Sequence, residues 1–449
     1  MMREPAFRLL PQPAPQPLVG RRVLVLGLGD TGLSVARWVE REGGRVRVAD
    51  SRANPPRKKD FTGELHAGPF ASGLLDDVDL VCISPGLALD QEPVRAAVAA
   101  GIPVLGDIEI FAWHVAGPVL AVTGTNGKST VTALTTHLAR QAGIEAVAAG
   151  NISPPALDAL RAGLESGRPP RAWVLELSSY QLETTWSLDA RAATMLNLSE
   201  DHFDRYAGMA DYAAAKARVF FGTGVQVLNR DDAASRSMAQ PGREVVTFGL
   251  DAPPRATDFG VVSGFLMRGK ERICEVEALP IHGLHNVSNA LAACALASAL
   301  KISELGQGLK SFRGLPHRLE LIARRGGVDW YDDSKGTNVG ATAAALRGLN
   351  RRTVLILGGE GKGQDFSPLA GPVREFASHV LLIGRDAPLI EKVTGGERCD
   401  SLESAVQRAA RLAKAGEAVL LSPACASFDM FRDYKHRGEV FAAEVRKLA

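Results

Sequence analysis

The stretch Thr123-Gly124-Thr125-Asn126-Gly127-Lys128-Ser129-Thr130 follows an apolar run over residues 118–122, which predicts a strand, and precedes residues 131–142, which predict a helix. A strand, a glycine turn and a helix N-terminus form an anion site from backbone N–H groups and the helix dipole. Lys128 adds a mobile charge for terminal phosphates, and a hydroxyl of Ser129 or Thr130 can hold Mg²⁺. Full P-loop spacing requires glycine at position 122, where this chain has Val122. We therefore predict a nucleoside triphosphate site; a glycine turn without a phosphate role is the alternative.

The composition limits the class of protein. At 449 residues, 46% of them hydrophobic and 23% charged, the chain is long enough for two or three ordinary globular domains. A formal charge of +2 gives no reason to expect a nucleic acid partner. No apolar run approaches the ~20 residues that span a bilayer, so we expect no membrane span. Five scattered cysteines without metal-ligand spacing favour a reducing, cytoplasmic compartment.

Strand-like and helix-like segments alternate along the whole chain, which predicts an α/β fold with mostly parallel sheets. We predict three domains: a Rossmann-like domain over residues 20–110, a central P-loop domain over 111–315 and a Rossmann-like C-terminal domain over 316–449. Residues 1–19 contain five prolines and no continuous apolar stretch, which predicts a flexible tail rather than a secretion signal. The predicted strands cover residues 22–26, 45–49, 80–83, 118–122, 173–177, 193–198, 225–228, 328–331, 353–357, 380–383 and 418–421.

A second glycine motif lies near the N-terminus. Gly27, Gly29 and Gly32 match the dinucleotide-binding fingerprint, and Asp50 follows Gly32 by 18 residues at the end of the next predicted strand. Taken alone, this pattern predicts NAD binding and an oxidoreductase. Three glycines at a helix N-terminus hold a pyrophosphate, however, and many ligands besides NAD carry one. Because nothing downstream supplies an obvious hydride-transfer site, a nucleotide-like substrate with a diphosphate fits equally well.

Two predicted strands of the central domain end in acidic residues. Glu176 stands near the end of one strand, at the rim where α/β proteins bind ligands. Mg²⁺ prefers oxygen ligands and takes one or two carboxylates together with phosphate, so Glu176 is a candidate ligand; the alternative is a surface glutamate. The next strand is followed by the polar run 197–204. His202 in this run is a candidate ligand only because it stands on the same rim as Glu176 and the phosphate motif.

Three residues on predicted helices allow more than one interpretation. Lys216 lies in a run of alanines and, from the residues alone, is interpreted as a solvated lysine. Asn286 and Asn289 are three residues apart at the start of another helix, so their amides lie on one face. These amides could bind the edge of a base or cap the helix.

Taken in order, the motifs resemble the Mur ligases, the ATP-dependent enzymes that add amino acids to the peptidoglycan precursor. The resemblance covers roughly residues 20–449. In the C-terminal block, the motifs are similar to those of the members that add D-glutamate. The motifs that carry the resemblance are residues 123–130, Gly150-Asn151-Ile152, Glu176-Leu177-Ser178-Ser179, Asp201-His202, residues 285–289, Pro316-His317-Arg318, residues 332–338, residues 358–362 and residues 422–429.

The resemblance implies a three-domain fold and a reaction. The N-terminal glycine motif is implied to hold the UDP part of the substrate rather than NAD, with ATP on the central domain and the amino acid on the C-terminal domain. The implied activity is the ATP-dependent ligation of D-glutamate to UDP-N-acetylmuramoyl-L-alanine through an acyl phosphate. Small molecules are the only implied partners, and the chain is implied to act as a monomer in the cytoplasm.

Site residues follow from matching this chain to the family motifs. Those implied to contact ATP are Gly124, Thr125, Asn126, Gly127, Lys128, Ser129, Thr130, Asn286, Asn289, Arg318, Asp333 and Lys335. Those implied to contact the UDP-muramoyl substrate are Asp30, Thr31, Gly32, Asp50, Ser51, Arg52, Gly86, Asn151 and Ser178. Those implied to contact D-glutamate are Thr337, Lys362, Ser427 and Phe428. Two Mg²⁺ ions are implied, held by Ser129, Glu176, His202 and a Lys216 that is carbamylated by CO₂; Lys128, Glu176, His202 and Lys216 are the implied catalytic residues.

The chain departs mildly from the family pattern at three positions. Ser153 and Gly336 stand where glycine and alanine are common, and Glu360 stands where aspartate is common. Three alternatives remain. The first glycine motif favours an NAD-dependent oxidoreductase. A folylpolyglutamate-synthase-like ligase is disfavoured by the UDP-type first domain and by residues 333–335. A non-enzymatic nucleotide-binding regulator is disfavoured by the intact set of metal ligands.

Overall fold

Three separate β-sheets organise the chain. The computed structural model describes Leu9, residues 17–201 and residues 205–448. Its strands form sheets of five, nine and six strands, most of them parallel, so the predicted α/β class is confirmed. His202 and most of the predicted tail over residues 1–19 lie outside the described residues. Within the described part of the chain, no helix combines the length and the apolar character needed to cross a bilayer.

The first sheet consists of five parallel strands in the order β3-β2-β1-β4-β5. Its elements are β1 (Arg22–Leu26), α1 (Asp30–Arg41), β2 (Arg45–Asp50), β3 (Glu64–Ala67), β4 (Leu80–Ile83), α2 (Glu92–Ala99), β5 (Val104–Leu105) and α3 (Asp107–His114). The central strands β1 and β4 are apolar throughout except Arg22, because helices cover the sheet on both faces. A Cβ on Gly32 would lie 1.8 Å from the Gly27 carbonyl oxygen, so only glycine lets α1 begin this close to β1.

The second sheet places the strand that precedes the phosphate motif near its middle, in the order β14-β13-β12-β11-β10-β9-β6-β8-β7. Its elements are β6 (Val119–Thr123), α4 (Lys128–Gln141), β7 (Ala146–Gly150), α5 (Ala156–Glu165), β8 (Ala172–Glu176), α6 (Ser179–Leu182), β9 (Ala192–Met195), α7 (Met209–Ala217), β10 (Val225–Asn229), α8 (Ala233–Ser237), β11 (Val245–Phe248), β12 (Phe259–Val262), β13 (Phe265–Arg268), β14 (Glu271–Glu275), α9 (Leu284–Ser298) and α10 (Gly306–Ser311). The strands from β7 to β12 are parallel, and β12, β13 and β14 are antiparallel. The carboxyl ends of β6, β8 and β9 therefore meet at one edge of the sheet.

The third sheet has the order β15-β16-β20-β17-β18-β19, with only β15 antiparallel to its neighbour. Its elements are β15 (Glu320–Arg325), β16 (Val328–Asp332), α11 (Val339–Leu349), β17 (Thr353–Gly358), α12 (Ala370–Phe376), β18 (Ala377–Ile383), α13 (Ala387–Thr394), β19 (Glu397–Arg398), α14 (Leu402–Leu412), β20 (Ala418–Leu421) and α15 (Tyr434–Lys447). The strands β16, β20 and β17 are adjacent, so the loops that follow them lie side by side.

Helix α3 joins the first sheet to the second through two buried acids. Asp107 accepts a hydrogen bond from the side-chain amide of Gln181, with a distance of 3.1 Å from Nε2 to Oδ2. Glu109 accepts from the backbone N–H groups of Trp186 and Ser187, at 2.7 and 3.0 Å. The predicted domain boundary between residues 110 and 111 falls within this helix and stays a prediction.

Asp107 makes the stability of this junction depend on pH. Burial raises the pKa of the Asp107 carboxyl from 3.8 to about 6, so the folded chain binds this proton more tightly than the unfolded chain. Stability from this group is therefore present at low pH and is lost as the pH rises from about 4 to about 6. A shift of this size corresponds to about 3 kcal/mol.

We expect Asp107→Asn to raise the melting temperature at pH 7.5 by a few degrees. Asparagine keeps an acceptor for Gln181 and carries no charge to desolvate. The difference from the parent should vanish near pH 4, where the parent carboxyl is protonated. Thermal unfolding followed by circular dichroism at pH 4, 5, 6 and 7.5 checks this, and a lower melting temperature at pH 7.5 contradicts it.

Candidate active site

The turn between β6 and α4 has the shape of an anion cradle. Gly127 adopts φ = 83° at the N-cap of α4, and a Cβ there would lie 2.4 Å from Oδ1 of Asn289. Gly124 has φ = 148°, and a Cβ there would lie 2.9 Å from the Leu196 Cβ. Glycine is required at both positions. Helix α4 begins at Lys128, so the predicted start at residue 131 is wrong by three residues. The backbone N–H groups of residues 128–130 thus belong to the helix N-terminus and face the cradle.

Two lysine side chains meet beneath this turn. Nζ of Lys128 donates to the carbonyl oxygens of Gly124 and Thr125, both at 2.8 Å. Nζ of Lys216 donates to the same Gly124 oxygen at 2.8 Å and lies 4.7 Å from the centroid of the Tyr212 ring. Lys216 is 1% exposed, so its interpretation as a solvated lysine is wrong. No local pattern indicates this burial, because α7 turns the side chain towards a loop more than 80 residues earlier.

The environment of the two lysines disfavours two full positive charges. Loss of hydration lowers the pKa of Lys128. Burial lowers the pKa of Lys216 well below its usual value, and the nearby charge of Lys128 lowers it further. A lowered pKa favours the neutral amine of Lys216 relative to an ordinary lysine, and the neutral amine is a nucleophile whereas the ammonium is not.

Glu176 is a buried carboxylate whose two oxygens differ in their hydrogen bonding. It is 3% exposed at the end of β8, so the alternative of a surface glutamate is wrong. Its Oε1 accepts from Nδ2 of Asn151 at 2.8 Å, whereas Oε2 is buried and finds no hydrogen-bond partner among residues 17–201 and 205–448. Burying a charged oxygen costs free energy unless a cation or a hydrogen bond compensates it. The hydroxyl of Ser129 lies on the same rim of the sheet. Hard oxygen donors beside a phosphate cradle fit Mg²⁺. His202, the other predicted ligand, lies outside the described residues.

Asn197 fixes the shape of the phosphate loop, a role that the sequence reasoning missed. Its Oδ1 accepts from the backbone N–H of Asn126 at 2.8 Å, and its Nδ2 donates to the Asn126 carbonyl at 3.1 Å. Its own carbonyl accepts from the N–H of Thr125 at 2.9 Å. The polar run after β9 indicated this rim, but only the adjacency of β9 and β6 shows which residue holds the loop.

Residues of the third sheet reach the phosphate loop. Nη2 of Arg318 donates to Oγ of Ser129 at 2.6 Å, across 189 residues of sequence. Nδ2 of Asn338 lies 3.3 Å from Oδ1 of Asn126, and the Asn338 Oδ1 caps α11. Arg318 and Ser129, which were predicted to contact ATP from different domains, therefore lie in direct contact.

Asp333 and Lys335 follow β16 at this junction. Asp333 accepts from Oγ of Ser422 at 2.7 Å, and loss of hydration raises its pKa to about 7. Lys335 packs its Nζ 4.0 Å from the centroid of the Tyr434 ring, and desolvation lowers its pKa to about 8. Both groups titrate near neutrality, which is common at functional sites.

Asn286 and Asn289 are linked to each other on α9. Nδ2 of Asn289 donates to Oδ1 of Asn286 at 3.0 Å, and Nδ2 of Asn286 donates to the His282 carbonyl at 2.8 Å. The N-cap of α9 is Gly283, with no side-chain cap, so the capping interpretation of the two amides is wrong. The role in binding a base stays a prediction.

The N-terminal glycine motif differs from a dinucleotide site in the use of its acid. Oδ2 of Asp50 accepts from the Leu28 N–H at 2.7 Å and from Nη2 of Arg52 at 2.7 Å, and its Oδ1 accepts from Nε of Arg52 at 2.8 Å. Burial opposes the charge, but the Arg52 and backbone hydrogen bonds outweigh it and lower the Asp50 pKa to about 2. Both oxygens are engaged within the chain, which weighs against a carboxylate free for a ribose hydroxyl.

The other predicted substrate residues lie in loops and helix starts that follow strands of the first two sheets. Asp30 is exposed and pairs with Arg57 at 2.5 Å, and Ser178 caps α6 by accepting from the Gln181 N–H at 3.2 Å. Their contacts with a substrate stay predictions, as do those of Thr31, Gly32, Ser51, Arg52, Gly86 and Asn151.

The four residues predicted for the amino acid lie on three neighbouring loops of the third sheet. Lys362 is exposed, with φ = 53°, and its Nζ lies 5.6 Å from the centroid of the Phe428 ring. Phe428 is 64% exposed, whereas Ser427 is 2% exposed. Thr337 follows Lys335 on the loop after β16. The structure thus brings Lys362 and Phe428 together, with Ser427 adjacent.

Three successive parts of the chain match models of known protein families. Family models match a Mur ligase MurD-like N-terminal domain over residues 21–106, a Mur ligase middle domain over 122–297 and a Mur ligase glutamate ligase domain over 317–425. A UDP-N-acetylmuramoylalanine–D-glutamate ligase of Thiobacillus denitrificans is 53% identical, over 96% of this chain and 97% of the relative. A protein of the same name from Nitrosospira multiformis is 51% identical, over 96% of each chain.

A solved structure agrees in fold. UDP-N-acetylmuramate-alanine ligase MurC from Thermotoga maritima superposes with a TM-score of 0.60 at 19% identity, over 95% of this chain and 99% of that chain. At this identity the likeness concerns the fold alone, whereas the curated relatives match at about half of all positions. The chain belongs to the Mur ligase family, the ATP-dependent ligases of peptidoglycan precursor synthesis.

Proposed function

We propose that this chain ligates D-glutamate to UDP-N-acetylmuramoyl-L-alanine with ATP. The observation that carries the proposal is the hydrogen bond from Arg318 to Ser129, which joins the C-terminal domain to the phosphate loop. It supports a reaction in which the phosphate of ATP comes close to the substrate amino acid that binds at the loops of the third sheet. The D-glutamate ligases named above, at 53% and 51% identity, support the choice of substrates.

The chemistry explains why phosphate and amino acid must meet. A carboxylate does not react with an amine, because its charge repels the nucleophile and oxide cannot leave. Transfer of the γ-phosphoryl group to the L-alanyl carboxylate gives an acyl phosphate, which has a good leaving group. The amine of D-glutamate then attacks the carbonyl carbon, and the tetrahedral intermediate collapses to amide and inorganic phosphate. Lys128 and Arg318 supply positive charge at the phosphates, and the domains supply positioning.

Ser129 and Glu176 would hold Mg²⁺, with His202 and a carbamylated Lys216 as further ligands of two ions. Bound Mg²⁺ neutralises phosphate charge. The buried Oε2 of Glu176, for which the described part of the chain offers no hydrogen-bond partner, supports this assignment. A carbamate would convert the Lys216 cation into an anion with two oxygens: the neutral amine adds to CO₂, forms an N–C bond and releases one proton. The low pKa of the buried Lys216 amine supports this step.

We expect carbamylated Lys216 to be visible by NMR. Protein equilibrated with ¹³C-bicarbonate should give a carbamate carbon resonance that is missing in Lys216→Met. Lys310→Met, a change of an exposed lysine, should keep the resonance. Loss of the signal in both variants, or in neither, contradicts carbamylation at Lys216.

We expect Lys362→Ala to raise the KM for D-glutamate by about tenfold with a smaller change in kcat. D-glutamate brings two carboxylates, and the ammonium of Lys362 is the cation of its proposed pocket. Initial rates at varied D-glutamate check this, with Lys392→Ala as the control of an exposed lysine on α13. An unchanged KM for D-glutamate in Lys362→Ala contradicts the assignment.

The proposed function is tested by phosphate release from ATP with UDP-N-acetylmuramoyl-L-alanine. D-glutamate, L-glutamate, meso-diaminopimelate and no amino acid are compared. Release with D-glutamate alone supports the proposal. Release with another amino acid keeps the ligase and overturns the substrate. No release in any arm overturns the ligase assignment, and binding of NAD is then measured.

We further propose that the chain acts as a monomer on small molecules in the cytoplasm. All five cysteines are free thiols, four of them buried, which supports a reducing compartment. Sedimentation at micromolar protein with and without substrates tests the oligomeric state.

A further inference from the structure

The loop that carries Lys362 is anchored on both sides. Before Lys362, the backbone N–H of Glu360 donates to the Ala426 carbonyl at 3.0 Å, and the Ala426 N–H donates back at 2.9 Å. The N–H of Gly361 donates to Oδ2 of Asp386 at 2.7 Å. After Lys362, the anchor is a side chain, that of Gln364.

The Gln364 amide joins the three loops of the proposed amino-acid pocket. Its Nε2 donates to the Ala424 carbonyl at 2.6 Å, and its Oε1 accepts from the backbone N–H of Val339 at 3.1 Å. Val339 is two residues after Thr337, and Ala424 is three residues before Ser427. One side chain thus connects the segments that hold all four residues implied to contact D-glutamate.

Two of these segments contain backbone conformations that need such support. Lys362 has φ = 53° and Ala424 has φ = 57°, which is the left-handed region. For residues with a Cβ this region costs roughly 1–2 kcal/mol each, so surrounding bonds must hold it. Ala424 is fully buried, and its N–H donates to the Gly336 carbonyl at 2.9 Å, next to Thr337. Donation from Gln364 to its carbonyl completes the support.

We propose that Gln364 is a positioning residue that sets the affinity for the incoming amino acid by fixing Lys362 against the Thr337 and Ser427 segments. This inference rests on the proposed function, because it takes D-glutamate as the ligand of the pocket. Gln364 acts through its neighbours, so its removal should affect the KM of one substrate and leave those of the other two unchanged.

The test uses two substitutions and a neighbouring control. Gln364→Met keeps the length of the side chain and removes both hydrogen bonds. Gln364→Glu keeps the acceptor for Val339, removes the donor to Ala424 and adds a negative charge near a dicarboxylate ligand. Asp365→Asn changes an exposed acid whose Oδ1 accepts a hydrogen bond from the backbone N–H of Ser367 within the same loop. For each variant, KM is measured for D-glutamate, ATP and UDP-N-acetylmuramoyl-L-alanine, together with kcat and the melting temperature.

We expect the KM for D-glutamate to rise about fivefold in Gln364→Met and about tenfold in Gln364→Glu. The KM values of the other substrates should stay within twofold, and Asp365→Asn should match the parent. Because Gln364 acts through Lys362, Gln364→Met should add less than its own factor when combined with Lys362→Ala.

Several results would overturn the inference. An unchanged KM for D-glutamate in both Gln364 variants is one. Equal rises in all three KM values with a lower melting temperature are another, because they indicate a structural role only. Independent, multiplicative effects in the double variant with Lys362→Ala are a third. If the parent protein does not turn over D-glutamate, the proposed function fails first; the same measurements with the amino acid it accepts then decide on Gln364.

Discussion

Glu176→Gln is expected to lower kcat by about 10²–10³-fold while the fold is retained. Glutamine preserves the acceptor that Asn151 uses on Oε1 and replaces the buried Oε2 with an NH₂ group. An NH₂ group cannot ligate a hard cation such as Mg²⁺, so the negative charge of the phosphates would no longer be neutralised there. The measurement is phosphate release at saturating substrates over a range of Mg²⁺ concentrations.

Glu165→Gln provides the matched control for this change. Glu165 is an exposed acid on α5 that pairs with Arg161 four residues earlier, so its replacement should leave kcat and the Mg²⁺ dependence unchanged. Equal melting temperatures of Glu176→Gln and the parent would exclude unfolding as the cause. Full kcat with an unchanged Mg²⁺ dependence in Glu176→Gln would remove Glu176 from the set of metal ligands.

Arg318→Ala is expected to lower kcat/KM for ATP by about 10²-fold. Arg318 brings a guanidinium from the C-terminal part of the chain to the hydroxyl of Ser129. There it would add positive charge beside the proposed phosphate site. Arg318→Lys should retain part of the activity, because it keeps the charge but not the planar fork of donors.

Arg324→Ala tests whether any arginine of this region has the same effect. Arg324 lies on β15, where its exposed side chain pairs with Asp329 at 3.3 Å. Its loss should leave ATP kinetics within twofold of the parent. Equal losses in Arg318→Ala and Arg324→Ala would contradict a specific role for Arg318.

Much of the fold could be predicted because the decisive signals are local. The bounds of β1, β4 and β20 match the predictions, since continuous apolar runs between turn residues define buried parallel strands. The start of α4 was predicted too late, because Lys-Ser-Thr shows no apolar periodicity and its helical state depends on the left-handed Gly127 before it. The strands β12–β14 were not predicted, because they are short and form an antiparallel edge of the sheet.

The sequence by itself determined the fold class, the phosphate loop and the family, since each depends on residues close together in the chain. Only the tertiary structure decided that Lys216 is buried under Gly124, that Oε2 of Glu176 is buried without a partner among the residues described, and that Asn197 holds the phosphate loop. It also decided that Arg318 meets Ser129. The physical reason is that these contacts arise from strand order, with β6 between β9 and β8, and from the docking of the third sheet. Strand order and docking bring distant residues together, and no local pattern encodes which residues will meet.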